Sequence, residues 1–126
     1  MLSGSYTQIE QLINNITLDK IKTNKILSFL KLYKTESYIY PNTFVSKCKI
    51  SLKESYDIMN ILMTNHYVKP VYALYCFKCQ KFATEPYDNL NEIPIDMNCP
   101  HDNCDEILNI DNNMVVFYEV LKRIGE

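Results

Sequence analysis

Four cysteines constrain this chain more than any other feature. Cys76-Phe77-Lys78-Cys79 opens a stretch that closes with Cys99-Pro100-His101-Asp102-Asn103-Cys104. Zinc takes four soft ligands at tetrahedral corners, and two short turns that each offer a pair of thiolates supply them with little loop entropy to overcome. The first turn has the common two-residue gap; the second, with four residues between its cysteines, is at the long end of the range. The expected ligands are Cys76, Cys79, Cys99 and Cys104 around one structural Zn2+, with His101 open as a substitute for one thiolate. Disulfides or idle thiols are the competing reading. The first residues, Met1-Leu2-Ser3-Gly4-Ser5, lack the basic start and apolar core of a secretory signal, so a cytoplasmic protein with reduced thiols is expected, which favours metal.

Charge divides the chain near the same place. Residues 1–75 carry nine lysines against five acids, and residues 76–126 four bases against ten acids. Such a switch points to two modules with different partners. Only two glycines occur, which excludes a Gly-rich phosphate loop and a flexible linker. The longest apolar run, Val71 to Phe77, is too short to cross a bilayer, so no membrane partner is expected. Arg123 is the sole arginine, so bidentate guanine reading is nearly closed to this chain.

Periodicity orders the N-terminal half. Ile9, Leu12, Ile13 and Ile16 share a helical face over 5–17, starting at Ser5 or Thr7; the face is read as core, with a homodimerisation arm as the alternative. Thr23 is the expected cap of a second helix, whose stripe is Ile26, Leu27, Leu30 and Tyr33. Ser37-Tyr38-Ile39-Tyr40 reads as a short strand ended by Pro41. A short helix over 42–48, a turn at Lys49-Ile50-Ser51, and a longer helix capped by Ser51 and running to Asn65 follow, the last with Tyr56, Ile58, Met59, Ile61 and Leu62 inward. Val71 to Tyr75 is a strand that runs into the first cysteine pair.

From Thr23 to Tyr75 the chain resembles a winged helix-turn-helix. The resemblance rests on Thr43-Phe44-Val45-Ser46-Lys47-Cys48-Lys49, on Ile50-Ser51 through Leu62, and on His66-Tyr67-Val68, with a very short wing around Lys69-Pro70. From Tyr75 on it resembles a zinc ribbon, with each cysteine turn at the tip of a β-hairpin. There 89–98 is the linking loop, 107–110 and 114–120 form the second hairpin through Asp111-Asn112-Asn113, and 121–124 is a final helical turn. The two together are similar to the alpha subunit of the archaeal and eukaryotic transcription initiation factor E. They are also similar to small accessory proteins of bacterial mobile elements and phage-defence operons. The resemblance implies an α+β chain, winged helix at 1–74 and small β zinc ribbon at 75–126.

In that family the second helix of the motif enters the major groove. Ser51, Lys53, Tyr56 and Asn60 would then face base edges, and Lys47, Lys49 and Lys69 phosphates, with Glu54 and Asp57 opposing. The expected partners are double-stranded DNA through the basic half and a protein through the acidic zinc ribbon. An adaptor subunit of a larger, antiviral complex, without DNA binding of its own, is the alternative. Catalysis is not expected. Four cysteines leave a zinc ion no open position for water, the deaminase pattern fails because His101 is followed by Asp102-Asn103 and comes after the proline, and Cys48 and His66 are too isolated to pair.

Overall fold

The computed structural model describes residues 2–125, with side chains from Tyr6 onward. It is a mixed α+β chain, helices first and strands after. Its residues cluster into two compact units. One comprises the chain up to Lys69 together with the residues from Tyr118 on, and the other is Pro70–Phe117. The sequence reading put its boundary between 74 and 75; here the chain leaves the first unit earlier and returns to it at the end.

The first unit holds α1 (Leu2–Thr17), α2 (Lys20–Leu30), β1 (Tyr38–Ile39), α3 (Pro41–Cys48) and α4 (Leu52–Thr64). α1 begins at Leu2, so neither Ser5 nor Thr7 starts it. Ile9 and Ile13 are fully buried, and α1 packs on α4 and α2. The face proposed for homodimerisation over 5–17 is therefore used inside its own unit.

The cap of α2 is Asp19, not Thr23. The Asp19 carboxylate accepts from the amides of Ile21 (2.9 Å) and Lys22 (3.2 Å), satisfying donors that a helix start leaves free. Thr23 sits one turn later and is buried, its hydroxyl donating to Asn14 Oδ1 at 3.1 Å. Ile26, Leu27 and Leu30 are buried as expected, but the helix stops before Tyr33.

Pro41 opens α3, where its missing N–H costs nothing. Phe44 and Cys48 face inward, and Lys49 closes the helix in the left-handed region (φ 57°). Ile50 is buried in the turn. Ser51 then caps α4 reciprocally with Glu54: Ser51 Oγ accepts from the Glu54 amide (3.0 Å), and Glu54 Oε1 accepts from the Ser51 amide (2.9 Å). Ile58, Met59 and Leu62 are buried, whereas Tyr56, expected inward, is 39% exposed. His66, rather than Asn65, takes the left-handed conformation after α4 (φ 65°).

β2 (Val68–Cys76) and β6 (Met114–Val120) carry the chain out of the first unit and back. Lys69 and Pro70 lie inside β2, so they form no wing turn. The returning end of β6 pairs antiparallel with β1, Ile39 opposite Tyr118 and Tyr38 opposite Glu119. Beyond it, the Leu121 amide donates to the carbonyl of Tyr67, just before β2 (2.8 Å). Residues 121–124 form no helical turn.

The second unit contains two hairpins. β3 (Lys81–Phe82) pairs with β2, Tyr75 opposite Phe82 and Cys76 opposite Lys81. β4 (Asp96–Asn98) pairs with β5 (Ile107–Asn109). The expected linking loop at 89–98 thus contains a short 3-10 turn, Leu90–Glu92, and the strand β4. The expected hairpin between 107–110 and 114–120 does not form. Its turn is instead the short helix α5 (Ile110–Asn113), capped by Asn109, whose side chain accepts from the Asn112 amide at 3.0 Å. That cap turns the chain away, and β5 and β6 take different partners.

Candidate metal centre

The two hairpins bring the cysteines together. Cys76 ends β2, and Cys79 follows in the turn to β3. Cys99 follows β4, its amide donating to the Glu106 carbonyl at 2.9 Å, and Cys104 closes that loop. Among the described residues, Cys76, Cys79, Cys99 and Cys104 form the one group placed to hold a metal, with all four sulfurs within 4.8 Å of one another. The Cys76–Cys104 and Cys79–Cys99 sulfur distances are 3.7 and 3.8 Å. A disulfide needs roughly 2.05 Å, so these are free thiols. Four sulfurs at about 2.3 Å from a central zinc ion would stand about 3.8 Å apart, the edge of the tetrahedron. The cluster is consistent with a single structural zinc site.

Its electrostatics fit the same conclusion. The Cys79 amide donates to Cys76 Sγ at 3.4 Å and, more than any other contact, pushes the Cys76 thiol down to about 7. Cys79 is pushed up to about 12, first by its hydrogen bond with Cys104, and burial raises Cys99. Thiols this close cannot all ionise against one another's charge. A divalent cation held by Cys76, Cys79, Cys99 and Cys104 would remove that conflict and let all four stand as thiolates.

Side chains around the cluster brace the two turns. Lys78, in the first turn, pairs with Asp105, just after the second, at 2.8 Å. His101 lies outside the sulfur group, with Nε2 bonded to the Phe82 carbonyl at 3.1 Å, so the tautomer that donates there ties the second turn to β3. Asn113 Nδ2 donates to the Tyr75 carbonyl at 3.0 Å, steadying the strand that enters the first turn. Sequence reasoning missed Asp105 and Asn113, because neither spacing nor residue type distinguishes them from neighbouring loop polars.

Two of the five buried residues in the core beside the site are its ligands: Leu74, Cys76, Ile93, Cys99 and Leu108. The fifth cysteine, Cys48, is buried in the first unit, and burial pushes its thiol up to about 11, the state of an inert apolar filler.

The residues expected at DNA all belong to the first unit. Lys47, Lys49, Ser51, Lys53, Tyr56 and Asn60 are exposed along α3, its turn and α4. Lys69 is set apart from them in β2 and pairs with Glu119 at 3.7 Å. The two acids that opposed the assignment are both held by lysines: Glu54 by Lys22 at 3.4 Å, Asp57 by Lys53 at 2.9 Å. No helix among the described residues is long and apolar enough to cross a membrane. No protein-family model matches the chain, and no curated protein or solved structure matches it either.

Proposed function

We propose that this protein is a non-enzymatic, DNA-associated regulator or accessory factor of winged helix-turn-helix type, with a zinc-ribbon-like second unit. The observation that carries this reading is the α3–turn–α4 surface. Lys47, Lys49 and Lys53 stand exposed on two helices joined by a tight left-handed turn, and the acids on α4 are neutralised by Lys22 and Lys53. The element order α2, β1, α3, α4, β2, with β6 returning to β1, favours the same reading. In a winged helix the strands after the second motif helix are the wing pair; here β2 and β6 fill that place in the order, with the zinc-binding segment between them in the chain.

The test is binding of a fluorescent duplex of mixed sequence at about 50 and 200 mM salt. Affinity that falls steeply with salt and drops in Lys53→Glu supports the reading; no binding at the lower salt rejects it.

A second reading, a protein adaptor within a larger complex, rests on the second unit. Phe77 is 62% exposed and Phe82 37% exposed, and the Tyr75 ring lies 5.1 Å from each. Phe117 of the same unit is buried. An exposed aromatic step on an acidic module suits a protein partner. Retention of a partner by wild type and its loss from Phe77→Ala, with no duplex binding, would favour it.

A further inference from the structure

The exposed arc of α4 carries a chemistry that its one lysine, Lys53, does not explain. Leu52 is 48% exposed and Tyr56 39% exposed, and Asn60 is exposed one turn further on. At 3.6 residues per turn these three fall within about 80° of one face, beside Lys53 and turned away from the buried Ile58 and Leu62. Leu52 to Asn60 spans about 12 Å along the helix, close to the width of the major groove.

Base edges differ in what they ask of a side chain. Guanine is read by arginine or lysine, cytosine by a carboxylate, adenine by an amide, and the thymine methyl by apolar contact. The groups for the G·C pair are engaged with other residues here. The one arginine, Arg123, donates to the Lys31 carbonyl at 3.4 Å. Lys53, the one lysine of α4, pairs with Asp57 Oδ2 at 2.9 Å, and Glu54 Oε1 is held by the Ser51 amide and Lys22. The groups for the A·T pair are present and face outward: an amide on Asn60 and apolar surface on Leu52 and Tyr56.

We infer that α4 selects A·T-rich duplex DNA from the major-groove side, with Leu52 and Tyr56 against thymine methyl groups and Asn60 bidentate to adenine N6 and N7. Lys47 and Lys49 supply the sequence-independent attraction. The inference rests on the DNA-binding reading above and names the sequence class it recognises.

Replacing thymine by deoxyuracil tests it, since only the major-groove methyl is lost. The zinc-loaded full chain would be titrated against three duplexes of equal length: A·T-rich, the same with uracil for thymine, and G·C-rich. The expected order is A·T-rich tightest, with about a fourfold loss for each contacted methyl removed, the equivalent of about 0.8 kcal/mol per buried carbon group. Leu52→Ala and Tyr56→Ala should bind the thymine and uracil duplexes alike. Asn60→Ala should narrow the gap to G·C-rich duplex by about tenfold, within the range of one bidentate contact. All three positions are exposed, so an unchanged helical circular dichroism spectrum is expected and checks the fold of each variant. Equal affinity for thymine and uracil duplexes overturns the inference and leaves DNA binding standing. An A·T preference that survives both uracil and Asn60→Ala places recognition in the minor groove and also overturns it. No binding to any duplex at low salt overturns both the inference and the reading beneath it.

Discussion

The two units hold themselves together by different means. In the first, the interior is hydrocarbon: Ile9, Ile13, Ile26, Leu30, Phe44, Ile58 and Leu62 are all fully buried, delivered by four amphipathic helices. In the second, the apolar residues of the core, Leu74, Ile93 and Leu108, share it with two cysteine ligands. Its strands are short: the three wholly within it, β3, β4 and β5, are two or three residues long, too short to stand alone. A segment of this size buries too little surface to offset its chain entropy unaided. The contrast separates two roles for one residue type: Cys48 acts as a small hydrophobe, whereas Cys76, Cys79, Cys99 and Cys104 gather the two turns around one candidate metal site.

The largest effect should follow from removing that tie. Stripping the metal with a strong chelator, or Cys79→Ser, should unfold the second unit while most helical circular dichroism persists. Structural zinc supplies an apparent 10–16 kcal/mol, roughly, in finger peptides near neutral pH. Amide exchange read residue by residue would show the difference: protection lost over 70–117 and retained in α2 and α4. Elemental analysis should give one zinc per chain. Protein that carries no metal and melts identically with and without chelator would contradict the centre itself.

Next in size comes the converse lesion. Ile58→Ala removes a fully buried side chain from α4 and should cost about 2–5 kcal/mol, lost transfer energy plus the cavity left behind. Zinc stoichiometry should stay at one. Loss of the metal together with the helices would mean that the two regions do not differ in what sustains them.

A smaller effect separates the two kinds of cysteine. Cys48→Ala should cost about 1 kcal/mol, an ordinary value for a buried truncation, and leave zinc content unchanged. A fall in bound zinc in that variant would show that sulfur in the helical unit reaches the metal after all.

How much of this was written in the residues depended on how local the cause was. The helices of the first unit, the Ser51 cap and the cysteine cluster were legible, because each rests on spacing within a few residues or on a ligand pattern with few competing meanings. Asp19 was overlooked as a cap because Thr23, four residues on, looks as good to a rule that cannot see burial; in the fold Thr23 is interior and hydrogen-bonded to Asn14. The exposed Tyr56 fits the apolar stripe of α4 as well as its buried neighbours do, and periodicity alone could not sort them. Strand pairing failed most, since Asp111-Asn112-Asn113 reads as a hairpin turn, and nothing nearby says that Asn109 will cap a helical turn and send Met114–Val120 to β1.

The smallest predicted effect lies in the first unit and is read against pH. Hydrogen bonding from the Ser51 amide, with help from Lys22, holds the Glu54 carboxyl below its usual value. A carboxyl depressed by folding adds stability above its unfolded pKa of about 4.3, and that stability is lost as pH falls through the lower folded value. Because the pair is partly exposed and screened, the contribution is about half a kcal/mol or less. Glu54→Gln should therefore melt slightly below wild type near pH 6, and the gap should close as the pH is lowered toward 3. The helical signal is the one to follow, because protonating thiolates over the same range releases zinc and unfolds the second unit first. A wild-type advantage of constant size from pH 6 to 3 would mean that it does not come from the charge of Glu54.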